Sequence, residues 1–99
     1  VRLLWTRLAR EDRKAIREYI AADSPVAALS IDALFSDRCK HLLDHPSLGR
    51  PGRVAGTREL VVHRNYILVY DVAGDAIRVL RVLHAARQWP PVASILAPG

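Results

Sequence analysis

The stretch TRELVVHRNYILVYDVAGDAIRVLRVLH, Thr57–His84, holds three runs of aliphatic, aromatic and β-branched residues parted by two short polar breaks. Thr57–His63, Tyr66–Val72 and Ala76–His84 have strand composition, and Arg64-Asn65 and Ala73-Gly74-Asp75 have the lengths and residue types of hairpin turns. An antiparallel meander is therefore expected. In the middle run Tyr66, Leu68, Tyr70 and Val72 point one way and Ile67, Val69 and Asp71 the other. A strand that is largely apolar on both faces belongs in the interior of a sheet.

Upstream of the meander, Ser47–Gly56 contains three glycines, one proline and two arginines, a composition that reads as a loop without helix or strand. Before it the period changes. Ser24-Pro25 supplies a hydroxyl cap and a first-turn proline, and Ala28, Ile31, Leu34, Phe35, Cys39, Leu42 and Leu43 make an apolar stripe that Pro46 closes. An earlier helix runs from Thr6 to about Ala22, its stripe read as Leu8, Asp12, Ala15, Ile16, Tyr19 and Ile20. Asp12 is the polar intruder on that stripe. Val1–Trp5 reads as a strand feeding into the helix, joining either an edge or the middle of the meander. The expected fold is α+β, a helical hairpin packed on a small antiparallel sheet in the order β-α-α-β-β-β. Residues 1–90 form one domain, and Pro91–Gly99, without a charged residue, forms a tail.

Ninety-nine residues leave no material for a second core, which excludes a large multi-substrate enzyme. No apolar run approaches the ~20 residues of a membrane crossing, and the start of the chain is too short in apolar residues for a secretory leader. The lone Cys39 cannot form an intramolecular disulfide, which suits a cytoplasmic protein. Fifteen Lys and Arg against ten Asp and Glu give a net charge of +5. The excess lies in the second half, where seven basic residues face three acidic ones. Thirteen of the fifteen cations are arginine, the side chain suited to phosphate and carboxylate partners.

Several segments together resemble one known family. Leu4-Trp-Thr6 at the strand-to-helix junction, the helical hairpin, His45–Val54, Thr57–Val62, Tyr66–Tyr70 and Ile77–Pro90 are similar, in order and spacing, to the RelE/ParE superfamily of bacterial toxins. The resemblance spans roughly residues 1–90 and implies a type II toxin–antitoxin module whose toxin is neutralised by a cognate antitoxin. It implies no cofactor and no metal. Two targets are possible within it. RelE-like members cut messenger RNA on the ribosome with arginines, lysines and a tyrosine or histidine, whereas ParE-like members share the fold and inhibit DNA gyrase.

At single positions the nuclease pattern is incomplete. Where it expects an arginine just before the Tyr-x-Leu-Val-Tyr segment stand Val61 and Val62, with His63 and Arg64 displaced toward the turn. A second expected arginine falls at Ala85 or Ala86, with Arg87 one or two places late. Trp89 occupies the region where some nucleases carry tyrosine, and Gly52 or Arg53 stands where others carry glutamate. These departures favour the gyrase-directed reading. The alternatives are a metal-independent messenger RNA interferase using His63, Arg64, His84 and Arg87, and a catalytically inert binding or regulatory member.

Under the nuclease alternative, the ends of two neighbouring strands bring two imidazoles and two guanidiniums around one phosphate. Against it, histidines half in water at strand ends often have no chemical role. Arg50, Arg53, Arg58, Arg78, Arg81 and Trp89 are the candidates for binding a target or the antitoxin, set against solvated or internally paired arginines. Arg78 and Arg81 are three apart, so on a flat strand they face opposite ways, and one of them must reach past the core or pair with an acid such as Asp12. His41 and His45 have metal-ligand spacing but no third ligand, and read as ordinary helix-end residues.

Overall fold

The structure is a computed structural model, and it describes residues 1–85. The elements, in chain order, are β1 (Arg2–Trp5), α1 (Arg7–Ala21), α2 (Pro25–Asp44), β2 (Arg50–Pro51), β3 (Arg58–His63), β4 (Tyr66–Ala73) and β5 (Ala76–His84). They build one five-stranded sheet in the order β1-β5-β4-β3-β2. The meander and the helical hairpin stand as expected, and β4 is the central strand. Two details differ. β1 lies at an edge and runs parallel to β5, so the sheet is mixed, a pairing made possible by the long helical crossover between β1 and the meander. Ser47–Gly56 holds a strand after all: Arg50 and Pro51 pair with Glu59 and Arg58 of β3. Proline is tolerated there because β2 is the outermost strand.

Local chemistry sets both helix starts. Thr6 caps α1, its Oγ1 accepting from the Ala9 N–H at 3.2 Å while its own hydroxyl donates to the Leu80 carbonyl at 2.9 Å. Ser24 caps α2 through Ala27 N–H at 3.2 Å, followed by Pro25 in the first turn. The stripe of α2 is the expected one, with Ala28, Ile31, Phe35, Cys39 and Leu42 buried and Leu34 and Leu43 packed beside them. Burial pushes the Cys39 thiol up to about 12, so it behaves as a small core hydrophobe.

The stripe of α1 is rotated from the expected one. Leu8 and Tyr19 are 48% and 78% exposed, whereas Ala9 is fully buried and Arg13 turns inward. Arg13 tolerates that position because its charge is met on several sides. Its guanidinium lies 4.5 Å from the Trp5 ring centroid, and it donates to Asp32 at 2.9 Å and to Ser36 Oγ at 3.1 Å. Arg17 adds a second contact to Asp32 at 3.3 Å. Burial alone raises a carboxyl pKa, but the hydrogen bonds and charges of Arg13 and Arg17 together outweigh it and hold Asp32 below its usual range.

The helix-side core of the sheet comprises Val62, Tyr66, Leu68, Tyr70, Ile77, Val79 and Val82, closed by Phe35, Cys39 and Leu42. The β4–β5 register slips between Val69↔Arg81 and Tyr70↔Val79, leaving Leu80 as an extra residue. This bulge keeps Val79 and Val82, three apart, in the same core.

Candidate functional site

Two ends of the sheet carry the side chains that the sequence singles out. At one end, the loop after α2 folds against β3 and β4. Glu59 is 3% exposed and accepts from the Arg53 N–H at 3.0 Å, with the guanidiniums of Arg50 and Arg53 at 3.5 and 3.9 Å. Arg58 donates to the Gly49 carbonyl at 2.7 Å. The Tyr70 hydroxyl donates to the Pro46 carbonyl at 2.7 Å and accepts from the Gly49 N–H at 2.9 Å. Gly49 leaves no room for a side chain, since a Cβ there meets the Tyr70 ring at 2.8 Å and the Glu59 carbonyl at 2.9 Å. The Arg53 backbone N–H and the Arg58 guanidinium therefore hold this loop in place, while the Arg50 and Arg53 side chains reach toward Glu59 and remain 58% and 50% exposed.

Arg78 and Arg81 are also paired within the molecule. Arg78 forms a two-pronged bond with Asp71, its register partner across β4–β5, at 2.8 and 2.5 Å. Arg81 forms another with Asp12 of α1, at 2.8 and 3.1 Å, and Asp12 also accepts from the Val82 N–H at 2.9 Å. The polar intruder on α1 is thus the partner that the arginine needs, and the two hydrogen-bonded carboxylates favour the charged form of both arginines. The five arginines are divided among Glu59, Asp71, Asp12 and loop carbonyls.

At the opposite end His63 and His84 come together, but not on adjacent strands. β4 runs between them, and Tyr66 is the register partner of both. The Tyr66 ring lies 6.0 Å from the His63 ring and meets the His84 ring edge-on at 5.4 Å and Phe35 edge-on at 5.7 Å. Burial pushes the Tyr66 phenol up, with Tyr19 adding to the shift, so it remains a neutral hydroxyl near pH 7. The His63 Nδ1 accepts from the Asn65 N–H at 3.1 Å. A neutral His63 therefore carries its proton on Nε2, which makes that nitrogen a donor and not a base.

These groups border an open groove of about 700 Å³ between the sheet end and the helices, with Ile20, Ile31 and Leu34 on its apolar side. Arg64 is exposed on the turn beside it. Arg87 and Trp89 lie outside the described residues. His41 stands 3.9 Å from Asp37 on the same helix, and no group of three or more potential ligands occurs among the described residues.

Sequence reasoning missed Glu59, Asn65 and Tyr66 as determinants of these two ends. A signal for Glu59 is present, since it is the only acid between Asp44 and Asp71 and sits among arginines. Tyr66 and Asn65 carry no such signal, because their roles depend on which strand lies between the two histidines.

The comparisons with known proteins agree with this architecture. The model of the ParE toxin of the type II toxin–antitoxin system parDE matches residues 3–89. The Y4kP protein of Sinorhizobium fredii is 39% identical over 92 residues, which are 92% of this chain and 95% of the relative. Toxin RelE2 of Caulobacter vibrioides is 38% identical over 85 residues, covering 86% of this chain and 96% of that one. Among solved structures, a chain of the chromosomal ParDE toxin–antitoxin system from P. aeruginosa superposes with a TM-score of 0.75 at 31% identity, covering 85% of this chain and 95% of its own. With the helical hairpin, the meander and the Tyr66–Tyr70 strand all in the matched span, the chain belongs to the ParE toxin family of type II toxin–antitoxin systems, within the RelE/ParE superfamily.

Proposed function

We propose that this protein is neutralised by a cognate antitoxin and acts by binding its target, with DNA gyrase as that target, and not by cutting messenger RNA. The observation that carries this reading is the arrangement of His63 and His84, the two imidazoles of the interferase alternative, on either side of the Tyr66 ring. Metal-independent phosphodiester cleavage needs cations aimed at the charge that develops on phosphate, next to a base and an acid. Of the cations named for that chemistry, Arg64 stands exposed on the turn, and Arg78 and Arg81 of β5 add no guanidinium to it because each is held to a carboxylate by two hydrogen bonds. The two histidines have a buried neutral phenol between them, and His63 Nδ1 is occupied by a backbone N–H. The net charge of +5 favours an acidic antitoxin segment.

Expression of the chain without an antitoxin tests this. Gyrase inhibition gives a DNA-damage response and filamentation with intact transcripts, and the purified protein blocks supercoiling by gyrase. Transcripts cleaved at ribosomal A-sites, with translation halted at once, would overturn the proposal in favour of the interferase alternative. A protein without effect on growth or on gyrase would leave only the inert alternative.

A further inference from the structure

The segment between α2 and β3 is held more firmly than its glycines suggest. The Gly52 N–H donates to the Thr57 carbonyl at 2.8 Å, and the Thr57 hydroxyl donates to the Val54 carbonyl at 2.7 Å. Gly52 packs so closely on Thr57 that a Cβ there would collide with Thr57 Oγ1, and Gly56 turns the chain at a φ of +83°. With Tyr70 holding Gly49, the backbone that carries Arg50 and Arg53 is fixed on both sides. Their guanidiniums are not needed for that. Both approach the same Glu59 oxygen, Oε1, Arg50 at 3.5 Å and Arg53 at 3.9 Å, the second beyond hydrogen-bonding distance. A buried carboxylate thus gathers two half-exposed guanidiniums at one place and leaves most of their N–H donors unused among the described residues. The charge is unbalanced as well. Ser47–Leu60 carries Arg50, Arg53 and Arg58 against Glu59 alone.

We propose that Arg50 and Arg53 form a binding site for a backbone phosphate of duplex DNA, with Glu59 as the positioning residue beneath them. Guanidinium forks donate well to phosphate oxygens, and the positive excess here is not neutralised within the described chain. An acidic peptide is the competing ligand, but it needs a strand edge or a groove as well as charge. β2, the outermost strand, is two residues long and contains Pro51, and the grooves beside Tyr66 lie at the other end of the sheet. A phosphate contact asks only for donors projecting from the surface, and it positions a nucleic acid without reading its bases. The choice of DNA over RNA rests on the reading of gyrase, which works on a DNA duplex, as the target.

Fluorescence anisotropy of the full chain with a labelled duplex of about 20 base pairs, without gyrase, tests the site. Neither Arg50→Ala nor Arg53→Ala removes the Arg53 N–H bond to Glu59, so the loop stays in place. Each should weaken binding about three- to tenfold, and the double substitution should lower the slope of log affinity against log salt by about one. An Arg2→Ala, Arg7→Ala chain is the control, since it loses the same charge from two exposed, ion-paired arginines outside the loop, and it should bind within about twofold of the parent. Equal losses in the two double variants would mean that only the overall field acts, and would overturn the proposal. Tighter binding to polyglutamate than to the duplex, lost in the same variants, would assign the site to an acidic peptide and overturn it too. A parent chain that blocks supercoiling but does not bind the duplex would overturn the site and leave the gyrase reading standing. Duplex binding that depends on Arg50 and Arg53, with no effect on supercoiling, would support the site and overturn the gyrase reading.

Discussion

The two ends of the sheet make a useful contrast. At the loop end, cations are held by a buried carboxylate and by carbonyls, with Tyr70 bridging Pro46 and Gly49. At the turn end, two imidazoles surround one buried aromatic ring beside a groove. The end richest in charge is the one whose loop is fixed by Glu59 and Tyr70, although the Arg50 and Arg53 side chains there stay half exposed. Counting arginines along a sequence locates an electrostatic potential but not its use, because an internal partner converts a guanidinium from a ligand-binding group into a brace.

Substitutions can break or sharpen this contrast. The largest effect is expected at the turn end, where Phe35 is fully buried against Tyr66. Phe35→Ala should cost about 3–5 kcal/mol in urea unfolding, by lost transfer energy and the cavity left behind. A loss near 1 kcal/mol would mean that this end is far more plastic than its geometry. Next, Asp12→Ala removes two hydrogen bonds from the largely buried Arg81 head and one from the Val82 N–H, and should cost about 2–4 kcal/mol. Restored stability in an Asp12→Ala, Arg81→Leu double substitution would identify the pair as a brace.

At the loop end, Tyr70→Phe removes one hydroxyl that serves two backbone groups, and a loss of about 1–3 kcal/mol is expected. Hydrogen exchange at Gly49 should rise in the same variant, and unchanged exchange would show that the loop does not depend on Tyr70. A smaller effect concerns pH. The folded-state pKa of Asp32 lies below its unfolded value, so the Asp32 contribution is present above the unfolded carboxylate range and fades as pH falls through the folded value. Asp32→Asn should remove that part of the acid sensitivity, measured as midpoint against pH between about pH 5 and 2. The smallest effect is expected for His63→Ala, which should leave toxicity unchanged. Loss of toxicity in a stably folded His63→Ala chain would return the turn end to the nuclease alternative.

Much of the fold was legible because its signals are local. Thr6 and Ser24 announce helix starts, and Arg64-Asn65 and Gly74-Asp75 punctuate the strands. The rotation of α1 was not legible, since an inward Arg13 depends on Trp5, Asp32 and Ser36 meeting it from other elements. The two-residue β2 was hidden by Pro51 and the flanking Gly49 and Gly52, which carry no strand propensity, and it pairs where Glu59 and Tyr70 draw the loop onto the sheet. At the site, strand lengths place His63 and His84 at the same end of the sheet, while the tyrosine that separates them required the sheet order. The ion pair of Arg81 with Asp12 was anticipated from the three-residue spacing to Arg78, although the bulge at Leu80 alters the alternation on which that reasoning relied.

Thr6 ties the beginning of the chain to Val79 and Leu80, more than seventy positions later. During synthesis, β1 and the capped start of α1 must therefore wait for the fifth strand before their docking site exists. The sheet that the helices cover is therefore completed only once β5 has been made.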